Sequence, residues 1–518
     1  MICNSIPDMK FRYCLSRTLL SLVAITVLIV ALRVPLLDIP FERDEGEYAY
    51  IAWRLDHGEF PYRDWFDQKP PAIFWVYRLA LSLPFDAVRS VHLMGLAFAL
   101  ASAIGVFFLA RRLLGESWGV AAALLFAVLA ADPLVQGFAA NTEIFMLLPM
   151  ILGNVMYLHS VQDRRDDAAL MFAVGILNGI AIAFKQVAVA NWLFLVAVSP
   201  FMSTNPHRLR WMGTFAFLSA LGITSFWGLV TWYFYANNAL HDLVYNVFTH
   251  NVAYVRSIPF AERLSNLVNT LSTLAQSQAL VWIFSLAGFI AACRSQRNAS
   301  FVFVTGWLAS GAVGASVSGY YFPHYFQQIL PALAVLTVFG VKVLYDAKLW
   351  GVIPSWKKKA VCAIAVAIMP CYTLYPFVFM YTPQEAVREI YSGDRFDKMP
   401  EFAKVISTIT KEDDRVFIFG AEPELLFYAR RLSATRYIFL FPLYGHYGDA
   451  LNKQQVTARE ITAARPVVVV NIPNGLFFAP GTEQYFTRWT ESFLARNYDA
   501  ITFTTLDHDV FELYMIRQ

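Results

Sequence analysis

The 518-residue sequence predicts a polytopic α-helical membrane protein of about eleven transmembrane helices with a small C-terminal extracytoplasmic α/β domain. Three observations predict it. The chain is 57% hydrophobic and only 15% charged, whereas soluble domains carry roughly 25% charged residues. Apolar runs near the roughly 20 residues that span a bilayer recur along most of its length. From about Tyr381 the style changes, with charges returning and short strand-like runs alternating with helical ones.

The candidate spans centre on residues 18–38, 88–110, 117–132, 142–160, 168–184, 187–202, 211–236, 276–292, 300–319, 325–345 and 360–380. The piece from Pro71 to Leu83, about 13 residues, is expected to lie in the interface instead. Basic residues orient the chain, because short cytoplasmic loops collect Lys and Arg. Lys10, Arg12 and Arg17 precede the first span, and Arg111 and Arg112, Arg164 and Arg165, Arg208 and Arg210, Arg294 and Arg297, and Lys357 to Lys359 fill every second connection thereafter. The expected arrangement is multi-pass in the cytoplasmic (inner) membrane, with the amino terminus cytoplasmic and the C-terminal domain outside. The apolar start is read as a retained span, because no small-residue cleavage pattern follows Val34. A net charge of +3 gives no reason to expect nucleic acid. Cys3, Cys14, Cys293, Cys362 and Cys371 form neither a disulfide framework nor a metal-type spacing.

Two regions follow: a membrane region at 1–380, with a first external loop at 39–70, and an α/β domain at 381–518. In the latter, Arg415 to Gly420, Arg436 to Phe441 and Pro466 to Asn471 read as short buried strands. Glu422 and Glu424 would sit in a first helical turn, where acids are favoured; a ligand loop is the alternative.

The first external loop, "FERDEGEYAYIAWRLDHGEFPYRDWFDQKPP" (Phe41 to Pro71), is unusually charged for a segment beside a greasy span. Asp44, Tyr48, Ala52 and Leu55 follow helical spacing, so a juxtamembrane helix is expected from near Asp44. The other external connections also carry polar residues: Asn141, Thr142 and Glu143; Lys185 and Gln186; His241, Asp242, His250, Asn251 and Arg256; and "GYYFPHYFQQILP" at Gly319 to Pro331. Charges this near hydrocarbon are costly and usually face a cavity or a partner. Blander readings exist for each: first-turn acids for Asp44, Glu45 and Glu47, a snorkelling stem for Lys69, an aromatic belt for Tyr320, Tyr321, Phe322 and Tyr325, and an ordinary loop cation for Arg256. His324 reads as interfacial. A cavity lined by carboxylates and cations suits one chemistry in particular. A carboxylate takes a proton from an acceptor hydroxyl while Lys and Arg stabilise the phosphate leaving a lipid-linked sugar.

The first-loop pattern, an Asp-Glu pair, a Tyr soon after, Gly-x-x-Pro-Tyr and Lys-Pro-Pro, resembles the GT-C superfamily of membrane glycosyltransferases. The similar branch is that of protein O-mannosyltransferases and bacterial lipid A aminoarabinose transferases. "ANTEIF", the Lys of "AFKQ" and "FPHYFQQILP" fall where that branch has its second acid, a cation and a Pro-x-Tyr element, and the resemblance covers roughly residues 18 to 345. It implies Asp44 as catalytic base with Glu45 completing the pair, Glu143 as second acid, and Lys69, Lys185, Arg256 and Tyr325 as donor-phosphate ligands. Tyr48, Tyr62 and Asp67 belong to the acceptor and sugar vicinity. Two departures bear on donor and acceptor: Glu47 stands where aminoarabinose transferases carry an Arg, and Gln68 where they have an acid before Lys-Pro-Pro.

The expected function is glycosyl transfer from a polyprenyl-phosphate sugar to a glycan, lipid or protein acceptor at the outer face of the membrane, by an inverting single displacement. No cofactor is firmly implied, and a divalent metal is not expected with a monophosphate donor. A transporter or flippase of lipid-linked saccharides, or a non-catalytic scaffold, is the alternative.

Overall fold

The computed structural model describes residues 6–162, 167–203, 205–294, 299–346, 354–445, 447–472, 483–504 and 510–517. Cys3, Arg164, Arg165 and Arg297 lie outside the described residues. Among these residues, eight helices are long and apolar enough to cross a membrane: Ser16–Leu36, Ala87–Leu114, Thr142–Val161, Arg208–Ala236, Phe260–Ile290, Ala299–Ser316, Pro323–Asp346 and Val361–Phe379. Three shorter apolar helices, Glu116–Ala130, Ala168–Phe184 and Gln186–Met202, fall on the other three expected spans. Ala72–Leu81 has ten residues, too few to cross.

The helix beginning at Phe260 starts well before the span expected at 276, because its early turns are polar and escape a hydropathy reading. Those turns have a use. Asn266 Nδ2 donates to Gly319 O at 3.4 Å and Thr270 Oγ1 to Tyr321 O at 2.7 Å. They brace a turn in which Gly319 (φ 78°) and Tyr321 (φ 52°) adopt left-handed backbone just ahead of Pro323.

The C-terminal domain holds a five-stranded sheet of β1 (Arg415–Phe419), β2 (Leu432–Ser433), β3 (Val468–Asn471), β4 (Tyr498–Thr504) and β5 (Val510–Ile516), in the order β2-β1-β3-β5-β4. β1 pairs in parallel with β2 and β3, while β5 runs antiparallel to β3 and β4. The strand expected at Arg436 to Phe441 is not one. That segment is apolar because it packs on the first loop: Phe66 N donates to Arg436 O at 3.0 Å, and the Tyr437 ring lies 5.2 Å from that of Phe66.

The first loop forms the expected helix, Arg43–Leu55, and lies between the membrane helices and this domain. Glu42 and Glu45 cap its start reciprocally. Phe41 N donates to Tyr428 Oη at 2.7 Å, Ser433 N to Tyr50 Oη at 2.9 Å, and Arg43 Nη2 bonds Asp394 and Glu422, each at 3.2 Å. Glu422 stands at the start of the helix Pro423–Ala429 without capping it by its side chain, and serves the interface through Arg43. Gly46 permits the crossing. A Cβ there would collide with the Cβ, Cα and N of Glu424, which are largely backbone and cannot swing aside. Gly46→Ala is therefore expected to destabilise the protein by about 1–3 kcal/mol, read as a lower melting temperature in detergent.

Candidate active site

Helical spacing puts Asp44 and Tyr48 one turn apart on the face of Arg43–Leu55 that meets the end of the loop. Lys69 Nζ donates to Asp44 Oδ2 at 3.0 Å and to Tyr48 Oη at 2.6 Å, and Tyr48 Oη donates to Asp44 Oδ2 at 3.2 Å. The loop holds Lys69 by its backbone. Tyr62, in a left-handed conformation (φ 68°), donates its hydroxyl to Lys69 O at 2.6 Å, and Lys69 N donates to Asp67 Oδ1 at 2.8 Å. Gln68 O accepts from Gln186 Nε2 at 3.2 Å and Asn251 Nδ2 at 2.8 Å.

Burial alone would make Asp44 a poor carboxylate. The charge of Lys69, with Lys185 behind it, outweighs burial and holds the carboxyl at about 2, so it is ionised at neutral pH. Lys69 is shifted upward in turn: burial opposes its charge, but Asp44, Asp67 and Glu47 outweigh that.

A second acid and lysine stand nearby. Glu143 opens the helix Thr142–Gln162, is fully buried, and pairs with Lys185 Nζ, while Thr142 Oγ1 donates to its Oε2 at 2.9 Å. Lys185 sits in extended backbone between two helices, with Nζ 3.6 Å from the centroid of the Tyr325 ring. Tyr325 Oη lies 3.3 Å from Tyr254 Oη. The two pairs belong to one electrostatic cluster, since Asp44 feels Lys185 and Lys69 feels Tyr325.

Two expected residues stand apart from it. Glu45 points the other way: its Oε1 accepts from His92 Nε2 at 2.9 Å and from Ala140 N at 2.7 Å. Its contacts orient the loop helix. Arg256 is exposed on the last turn of His250–Arg256, and no hydrogen bond or ion pair ties it to either lysine pair among the described residues. His324, read as interfacial, lies inside the cluster, with Glu143, Lys185, Asp44 and Lys69 all acting on its ring. Among the described residues, no three His, Cys, Asp or Glu side chains converge as a metal-ligand set.

Residues 68–233 match the family described as dolichyl-phosphate-mannose-protein mannosyltransferase. The structure of ArnT from Cupriavidus metallidurans bound to undecaprenyl phosphate superposes with a TM-score of 0.63 at 17% identity, covering 96% of this chain and 97% of that one. The fold is that of ArnT, and residues 68–233 carry the mannosyltransferase family's pattern. Archaeal AglB from Archaeoglobus fulgidus, in complex with an inhibitory peptide and a dolichol-phosphate, superposes with a TM-score of 0.56 at 13% identity, covering 97% of this chain and 74% of that one. Mycobacterial arabinofuranosyltransferase AftD gives 0.54 at 12% identity, covering 97% of this chain and 40% of that one. No curated protein sequence matches the chain.

The site contains one arrangement that the departures at positions 47 and 68 foreshadow. Glu47 and Asp67 are buried carboxyls that act on one another, and among the described residues Glu47 Oε1 and Asp67 Oδ2 have no hydrogen-bond partner. Burial first, and then Asp67, push Glu47 well above the usual carboxylate range; burial pushes Asp67 up to about 6 against the pull of Lys69. Glu47 is the member of the pair that keeps its proton, and Asp67 is the residue that holds Lys69 N. Glu47→Gln keeps a donor and should leave the melting temperature near that of the unaltered protein, whereas Glu47→Ala orphans Asp67 and should cost about 1–3 kcal/mol. Because the folded Asp67 retains its proton between its ordinary value of 3.8 and about 6, its contribution to stability is full below that window and lost as pH rises through it. Melting followed across this range checks the sign.

Proposed function

We propose that the chain transfers a sugar from a polyprenyl-phosphate donor to an acceptor at the outer face of the cytoplasmic membrane. The observation that carries this reading is the lysine shared by a base and a phenol: Lys69 holds Asp44 and Tyr48 at the mouth of the loop. Two proteins with this fold, ArnT and AglB, bind undecaprenyl phosphate and a dolichol-phosphate in their structures.

In the proposed reaction the donor phosphate takes the N–H groups of Lys69, with Lys185, Tyr325 and the exposed Arg256 as further ligands. Drawing Lys69 away relieves Asp44 of its countercharge, so base strength rises when donor is bound. Asp44 then accepts the proton of the acceptor hydroxyl. The acceptor oxygen attacks the anomeric carbon from the face opposite the phosphate, the bond from that carbon to the phosphate oxygen breaks, and the polyprenyl phosphate leaves with its added charge held by the lysines. Configuration inverts. Glu143, paired with Lys185, borders the sugar or acceptor. Clustering of both lysine pairs in one place favours transfer over passage of a saccharide through the membrane, which needs polar groups along a path. The acceptor class, glycan, lipid or protein, is to be read by mass spectrometry of envelope glycans and glycoproteins with and without the chain.

Asp44→Asn should lower transfer from labelled lipid-linked sugar by about 10²- to 10⁴-fold with normal expression, and unimpaired transfer rejects the base. Lys69→Ala should weaken binding of undecaprenyl phosphate by about 10- to 100-fold, the value of a charge-assisted hydrogen bond. Unchanged affinity removes Lys69 from the phosphate site.

A further inference from the structure

His324 is held as few surface histidines are. It follows the braced turn at Gly319 to Tyr321, in the short 3₁₀ segment Pro323–Ile329. Its Nδ1 lies 2.7 Å from Gln136 Oε1. An amide oxygen only accepts, so Nδ1 carries the proton, and in the neutral ring this leaves Nε2 with a lone pair. Gln136 is itself pinned, in left-handed backbone (φ 54°) after the Pro133–Val135 turn, with Gln327 Nε2 donating to Val135 O and Gln136 O, each at 3.2 Å. The rings of Phe322, stacked at 5.9 Å, and Tyr325, edge-on at 4.8 Å, fix the imidazole plane. No hydrogen bond to Nε2 occurs among the described residues.

We propose that His324 contacts substrate: Nε2 accepts a hydrogen bond from a hydroxyl of the transferred sugar or of the acceptor. The inference rests on the transferase reading above. The other polar groups of the cluster are committed internally, Asp44 and Tyr48 to Lys69 and Glu143 to Lys185. The imidazole Nε2 is engaged by neither lysine. A lone pair repels a phosphate oxygen, so the ring serves the hydroxyl-bearing part of the substrates and leaves the phosphate to the lysines. Gln136 acts through His324 and is a positioning residue.

The test compares His324→Ala, His324→Gln and His324→Asn in full-length protein, with undecaprenyl phosphate binding as the check on folding and on the phosphate site. The expected result for His324→Ala is transfer from lipid-linked sugar lowered at least about tenfold, the worth of one hydrogen bond to substrate, with undecaprenyl phosphate affinity within about twofold. Gln places a carbonyl where Nε2 stood, whereas Asn restores only the donor to Gln136. Transfer should therefore return further with Gln than with Asn. A rise in KM for the lipid-linked sugar assigns the hydroxyl to the donor, and a rise in KM for the acceptor assigns it there. Transfer by His324→Ala equal to that of the unaltered protein, or Asn restoring as much as Gln, overturns the proposal while leaving the transferase reading intact. Should His324→Ala fail to bind undecaprenyl phosphate, the order of Gln and Asn decides. Absence of transfer by the unaltered protein sinks both readings.

Discussion

Glu45 receives hydrogen bonds from three parts of the chain: the backbone of Glu42 one turn back, the His92 ring in the second long span, and the amide of Ala140 ahead of Glu143. A charged loop helix lying against apolar spans is stable only if its polar groups find partners. Glu45 meets that requirement on the buried side, which leaves Asp44, its neighbour in sequence, to face Lys69. The same carboxylate ties the element that carries the first acid to the one that carries the second. The spacing between Asp44 and Glu143 is thus a property of the framework, and does not depend on either lysine.

A second dependence runs through the backbone of the loop's end. Asp67, Tyr62, Gln186 and Asn251 all hold the main chain from Gln68 to Lys69. The side chain of Lys69 is consequently the mobile partner in an otherwise fixed site. In the proposed reaction that suits a cation exchanging a carboxylate for a phosphate and back in each cycle. It also explains why one of the two buried acids beneath it, Glu47, keeps its proton, since a further carboxylate would compete for the same ammonium.

The span positions were legible because hydrocarbon thickness sets a length that hydropathy reads directly. The Asp44 and Tyr48 pairing was legible too, since both lie on one short helix. What escaped was everything decided at long range. Glu45 looks like a first-turn acid until His92 and Ala140 arrive from distant segments. His324 looks interfacial because Gln136, which fixes its tautomer, is 188 residues away. "RYIFLF" has the composition of a buried strand, but the partner that buries it is Phe66 of the first loop, and composition alone cannot tell a sheet from a docking surface. The β4 and β5 hairpin shows alternation in "YDAITFT" and "VFELYMI" that a pattern of period two would have found.

The close crossing at Gly46 bears on what kind of unit the C-terminal domain is. Its helix Pro423–Ala429 buries Leu425, Leu426 and Phe427 partly against a helix that belongs to the membrane region, and its Tyr428 and Ser433 bond to that region's Phe41 and Tyr50. Cut free, it would present an oily, half-finished face to water. It is better regarded as the missing wall of the first loop than as a cargo carried beside it. A graft of a foreign domain at this junction would have to reproduce one interhelical contact before it could reproduce any chemistry.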